Sequence, residues 1–182
     1  MISSAVGCPM PNLSAEDLRT RLVRDLPGAV QSVSPLKVVP PPAQGHAPAA
    51  FVTGDTLVEA ARIVDVALYL RDRLNYAYLS DICVVDYLAD EIFEIVYRFY
   101  TVEGGSSLAL KVRVPRENPV VPSLTAHWPG ANFHEREAFD LYGIVFVGHP
   151  YLRRIYMWDE FEGFPMRKDF PRQGDKYIGE DE

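Results

Sequence analysis

A change of period near residue 76 constrains the fold of this chain more than any other feature. Upstream of it, apolar residues recur at intervals of three and four; over residues 76–114 the interval shortens toward two. Three runs there, 76–88, 91–101 and 107–114, are rich in β-branched and aromatic residues, the composition of strands. Alternation is partial in Phe93-Glu94-Ile95-Val96-Tyr97-Arg98-Phe99-Tyr100 and clean from Leu110 to Val114. Ala89-Asp90 marks a tight turn between the first two runs, and Glu103-Gly104-Gly105-Ser106 a hairpin between the last two. Three strands joined by short turns make an antiparallel meander. One face of such a sheet needs a cover, which predicts an α+β fold with helices on one side.

Two helices are expected before the meander. Residues 13–26 place Leu18, Leu22 and Val23 on one face, with Ser14 as N-cap, Asp17 three residues on, and Pro27-Gly28 as the stop. A second helix is predicted over 56–73, opened by a capping box between Thr56 and Glu59. Leu57, Ala60, Ala61, Val64 and Leu68 follow at helical spacing. Between these helices, residues 35–48 hold five prolines and read as an exposed, polyproline-like spacer.

Beyond Pro115 the pattern changes again. Pro119 and Pro122 bracket Val120-Val121, and Trp128-Pro129-Gly130 makes a turn. Asn132 is the expected cap of a short helix, with Glu135 reaching back to it and Gly143 ending it in the left-handed conformation. From Val145 the chain is turn-rich and aromatic. The chain thus divides into a flexible N-terminus (1–12), an α+β body (13–126) and a segment (127–182) expected to lie as an extended strap across another polypeptide.

Composition narrows the functional classes. Hydrophobic residues form 48% of the chain, enough for a sizeable core. A net charge of -7 disfavours a nucleic-acid partner. Cys8 and Cys83 are too far apart for a Cys-x-x-Cys site and too few for an iron–sulfur cluster; Cys83, in an apolar run, reads as a small core residue. No run approaches the about 18–20 apolar residues of a membrane span, and residues 1–11 lack the features of a secretory signal. Any membrane association is therefore expected to come through partners.

The segment 127–171 holds most of the chemically active side chains, yet completes no catalytic motif. His134-Glu135-Arg136-Glu137-Ala138 begins like a zinc helix, but Ala138 stands where the second histidine is needed. The spacing of His127, His134 and His149 follows no metal pattern; His149, between Gly148 and Pro150, reads as a turn residue bonded to backbone. Glu135, Glu137 and Asp140 lie on one short helix, where Glu137 and Asp140 share a face. They fit acid–base chemistry, a solvated face with Arg136 paired to Asp140, or an acidic docking face; the last is favoured. Arg153-Arg154 and Arg167-Lys168 alternate with Tyr151, Tyr156, Trp158, Phe161, Phe164 and Phe170, residue types typical of interface hot spots. No glycine-rich phosphate loop and no nucleophile elbow occurs.

At these residues the chain resembles the 30 kDa subunit family of respiratory complex I, the proton-pumping NADH:quinone oxidoreductase. The resemblance rests on Glu135-Arg136-Glu137-Ala138-Phe139-Asp140-Leu141-Tyr142-Gly143-Ile144, followed by Gly148-His149-Pro150-Tyr151-Leu152-Arg153-Arg154-Ile155. Trp128-Pro129-Gly130-Ala131-Asn132 and Tyr78-Leu79-Ser80-Asp81, with Val85-Asp86-Tyr87 after it, match as well. Phe133-His134 departs from the family's usual Trp-Pro, and Gly163-Phe164-Pro165-Met166-Arg167-Lys168-Asp169-Phe170-Pro171 varies its usual ending. The resemblance implies a cofactor-free structural subunit, with flavin and iron–sulfur clusters held by partner subunits. It implies docking on the large 49 kDa-type subunit near the quinone site, beside iron–sulfur subunits. It also implies a peripheral place on the cytoplasmic face of a bacterial inner membrane, or the matrix or thylakoid side in an organelle. The residues expected at the subunit interface are Trp128, Glu135, Arg136, Glu137, Asp140, Tyr142, His149, Arg153, Arg154, Arg167, Lys168 and Asp169. The same role in a complex fed by ferredoxin, a deazaflavin or a hydrogenase module is an alternative. A small stand-alone acid–base enzyme is another.

Overall fold

The computed structural model describes residues 13–32, 56–103 and 107–171. The expected flexible N-terminus, Cys8, the proline-rich 35–48 segment and the Gly104-Gly105-Ser106 turn lie outside the described residues. Helix α1 is Ala15–Asp25, and Ser14 caps it as expected, its hydroxyl accepting from the Asp17 amide at 3.1 Å. Leu18 and Leu22 on its inner face are fully buried.

The predicted helix start at Thr56 is wrong. Thr56–Val58 is a strand, β1, running parallel to a later strand with Thr56 opposite Leu110. The Thr56 hydroxyl bonds to the Ala15 carbonyl, and the Glu59 carboxylate takes the Gln31 side-chain amide. Pairing across the sheet overrides a local capping pattern, because β1 buries all three of its residues there. A 3-10 turn (Ala60–Arg62) leads into α2, Ile63–Leu74. That helix ends at Asn75 in the left-handed conformation, with φ 61°.

The meander follows as β2 (Tyr78–Tyr87), β3 (Ile92–Tyr100) and β4 (Leu108–Pro115), antiparallel throughout. With β1 beside β4 the sheet order is β1-β4-β3-β2. The expected α+β architecture is therefore present, with one parallel edge that the meander pattern did not contain. Phe93, Ile95, Tyr97 and Phe99 point to one face of β3, and Leu108, Leu110, Val112 and Val114 continue it on β4. Against that face sit Leu18 and Leu22 of α1 and Ile63, Val66, Ala67 and Leu70 of α2, in one core. Each of the large side chains contributes about 1.5–3 kcal/mol on burial.

The opposite face of the sheet carries charge. Glu94 is buried between Lys111 at 3.2 Å and Arg113 at 2.8 Å. Cys83 belongs to this face and is exposed, not the core residue its apolar neighbours predicted. The strand alternation places Ile82 inward and Cys83 outward.

Two short parallel strands, β5 (Val120–Pro122) and β6 (Val145–Val147), flank helix α3, Ala131–Tyr142. Val121, Leu124, Ala131, Ala138, Ile144 and Phe146 join the same core as the meander. Residues on both sides of position 127 thus share one interior.

Candidate functional site

Helix α3 is gripped on two sides. Ala131, Glu135 and Ala138, at spacings of four and three, face inward and are buried. Asp140 lies about 140° further round the helix from Glu135, on the side covered by the segment 150–170, and it too is fully buried. The helix has no side-chain cap: Gly130 occupies the cap position, and Glu135 does not reach back to Asn132. Its carboxylate instead accepts from the Ser123 hydroxyl (2.5 Å), the Leu124 amide (2.7 Å) and the Thr125 hydroxyl (3.1 Å). Burial pushes Glu135 above the usual carboxylate range, and those three donors oppose the shift without cancelling it.

Asp140 organises the C-terminal segment. One carboxylate oxygen accepts from three successive backbone amides, Ile155 (3.0 Å), Tyr156 (2.7 Å) and Met157 (2.9 Å). The other accepts from the Arg154 guanidinium at 2.7 Å. Arg154 reaches onward to the carbonyls of Phe161 and Gly163. One turn earlier on the same side, Arg136 donates to the carbonyls of Arg153 and Arg154. The helix therefore holds the segment's backbone with a donor at one position and an acceptor at the next turn. The Arg136–Asp140 pair of the solvated-face alternative is not formed, because each side chain engages the segment instead. The expected acidic docking face is likewise absent: Glu135 and Asp140 point inward.

A second clamp lies beyond. Asp86, at an inward position of β2, accepts from Arg116 and from the Lys168 amide at 2.9 Å. Arg116 also pairs with Asp169 at 2.6 Å, which holds that carboxylate below its usual range. Arg167 donates to the Tyr142 carbonyl at 2.7 Å and lies over the rings of Phe93 and Phe164. Gly143, with φ +78°, ends α3 as expected and lets Phe164 close over it.

The described part of the strap is thus folded back on its own body. Trp128 is also internal, its indole N–H donating to the Ala77 carbonyl at 2.9 Å and its ring edge-on to Phe99. Trp128, Glu135, Asp140 and Arg154 hold the chain to itself and present little surface to a partner. Tyr142, half-buried, packs edge-on to Phe93. His149 behaves as read, its ring bonded to the Asn132 carbonyl and to the Tyr151 amide. Glu137 is half-exposed, and Arg153, Lys168 and Asp169 lie at the surface. Arg116 and Ser123 were missed, and Asp86, part of the matching Val85-Asp86-Tyr87 stretch, was given no role. An aspartate two residues beyond Val84 on a strand's inward face was the available signal for that role.

The segment's outer side is apolar and open. Phe133 is 65% exposed, Trp158 63%, Tyr156 60% and Tyr151 59%. Asp159, Glu160 and Glu162 are exposed beside Trp158. Exposed aromatics this concentrated mark interaction surfaces. Among the described residues, no group of three or more histidine, cysteine or carboxylate side chains could hold a metal ion.

The two buried carboxylates predict opposite pH responses. Burial pushes Asp140 up, but the amides of Met157 and Tyr156, the Arg154 guanidinium and the Ile155 amide outweigh it and hold its pKa low. A lowered folded pKa gives stability that is complete above about pH 4 and lost as pH falls through the folded value. The Tm difference between wild type and Asp140→Asn should be full at pH 6 and shrink below about pH 4. Glu135 acts in the reverse sense: its contribution declines as pH rises from the ordinary carboxylate range through its raised value. A constant Tm difference from pH 3 to 6 would remove the electrostatic account of Asp140.

Residues 56–176 match the family model described as respiratory-chain NADH dehydrogenase, 30 Kd subunit. The NADH-quinone oxidoreductase C subunit of Roseiflexus sp. (strain RS-1) is 53% identical over 117 residues, covering 63% of this chain and 67% of that protein. Its namesake from Moorella thermoacetica is 45% identical over 117 residues, covering 64% of this chain and 79% of that one. A chain in the membrane-bound sulfane sulfur reductase, an archaeal respiratory membrane complex, shares the fold with TM-score 0.64 and 22% identity, covering 86% of this chain and 85% of its own.

Proposed function

Because the chain belongs to the family of the respiratory-chain NADH dehydrogenase 30 kDa subunit, we propose that it is a structural subunit of an NADH:quinone oxidoreductase that carries no cofactor of its own. In this reading it docks on the large 49 kDa-type subunit and holds neighbouring redox subunits in register, while flavin and iron–sulfur clusters reside in partners. The observation that carries the reading is the exposure of Tyr151, Tyr156 and Trp158 on a segment hydrogen-bonded to the body from beneath. A surface held in shape before contact loses less entropy on binding. No helix among the described residues is long and apolar enough to cross a membrane. The same reading gives the chain a peripheral place in the complex, on the cytoplasmic face of a bacterial membrane.

Catalysis by this chain has little support. Of Glu135 and Glu137, the carboxylates that a stand-alone acid–base enzyme would use with a histidine, Glu135 is fully buried and occupied by donors. The relatives named as NADH-quinone oxidoreductase subunits favour NADH as the donor of the parent complex over ferredoxin, a deazaflavin or a hydrogenase module.

Trp158→Ala tests the docking reading. Its ring is mostly exposed and touches Phe161 edge-on at 4.9 Å, so the folded chain should keep its Tm within about 2 °C. The yield of assembled complex on a native gel should fall several-fold, with turnover per assembled complex unchanged. Normal assembly combined with slow turnover would refute the structural role.

A further inference from the structure

The twin arginines at the centre of the C-terminal segment have divided roles. Arg154 is turned inward onto Asp140 and two backbone carbonyls. Its neighbours Arg116, Arg136 and Arg167 also give their guanidinium groups to acceptors within the chain. Arg153 is turned outward. Its side chain is exposed, and its guanidinium carbon lies 4.5 Å from the centroid of the Tyr151 ring. The described residues place no carboxylate in ion-pair contact with it. Its backbone carbonyl is fixed by Arg136, which in turn lies over the exposed ring of Phe133.

We propose that Arg153 is the cationic anchor of the docking surface and pairs with a carboxylate presented by another subunit of the same complex. The inference rests on the docking reading above and names the chemistry that the partner must supply. On a chain of net charge -7, an outward arginine backed by an aromatic ring opposes the prevailing charge. The stack on Tyr151 restricts the long side chain, which lowers the ordering cost of a new contact. The planar fork stays free for two parallel hydrogen bonds to a carboxylate, a geometry that lysine cannot reproduce. Arginine and tyrosine are also among the side chains over-represented at binding hot spots. The Phe133 ring, joined to this site through Arg136, supplies apolar surface from which water is excluded on contact.

The test compares Arg153→Glu, Arg153→Lys and Arg154→Ala in the full chain and in the complex. Arg153→Glu should leave the Tm of the full chain unchanged and lower the yield of assembled complex at least about tenfold. Arg153→Lys should fall between wild type and Arg153→Glu. Arg154→Ala should lower the Tm of the chain itself. A photo-crosslinking residue at position 151 should join a peptide of a neighbouring subunit that contains aspartate or glutamate. If Arg153→Glu lowers the chain's Tm as Arg154→Ala does, Arg153 is internal and the inference fails. If Arg153→Glu assembles normally while Trp158→Ala does not, the inference fails and the docking reading stands. If both assemble normally, the docking reading fails as well. A cross-linked peptide with no acidic residue also overturns the proposal.

Discussion

Replacing Asp140 by alanine is expected to destabilise the chain by about 3–5 kcal/mol, the largest effect of any single change in the C-terminal segment. Its carboxylate is fully buried and receives the Arg154 guanidinium and three consecutive backbone amides. Removing it leaves the Arg154 guanidinium without its counter-ion, held by backbone carbonyls alone, and three N–H groups without an acceptor. A domain of this kind has about 5–15 kcal/mol of stability in total. The loss should therefore appear as a fall in Tm of about 10 °C or more. It should also open the peptide bonds around 153–163 to protease while the sheet stays protected. Asp140→Asn keeps the shape but loses the charge, and should fall between the two. If Asp140→Ala melts with the wild type, the segment is held by its aromatic contacts and not by this carboxylate.

Gly143→Ala should be nearly as damaging, by a steric route. Gly143 has φ +78°, which costs an L-residue about 1–2 kcal/mol. An added Cβ would also stand 2.6 Å from two atoms of the Phe164 ring and 2.9 Å from the Arg167 guanidinium. Neither neighbour can yield freely, since Arg167 is bonded to the Tyr142 carbonyl and stacked on Phe93 and Phe164. Overpacking of this sort adds about 1–3 kcal/mol, for a total of about 2–5 kcal/mol. Gly148→Ala is the control. Gly148 has φ +87° but open space around it, so it should lose the backbone contribution alone. Equal melting losses in the two variants would show that Phe164 does not close on the helix end.

The meander was legible because its information is local. Alternation in Leu110–Val114 and turn residues before Glu91 state the strands and their order without help from elsewhere. The Ser14 cap and the Gly143 stop were legible for the same reason: one side chain or one backbone angle decides each. Thr56 and Glu59 misled because their spacing satisfies a helix cap equally well, and only the presence of β4 alongside selects the strand. Glu135, Arg136 and Asp140 were rightly placed on one helix, but helical spacing cannot say which faces become buried when both sides are covered. Acidic side chains read as solvent-facing by default, and the polar donors that reverse this arrive from residues 123–125 and 154–157. The twin arginines look identical in sequence; the fold alone turns one in and one out.

The bond from the Lys168 amide to Asp86 spans 82 residues of chain. It ties the second clamp to the sheet across a long loop, a contact whose closure costs more chain entropy than a local one. The aromatic row is displayed in its final shape only once the sheet beneath is correct. On the proposed docking reading, a molecule with a misregistered hairpin has no finished surface to offer, and assembly doubles as inspection: the contact that completes the monomer is the one its partner would require.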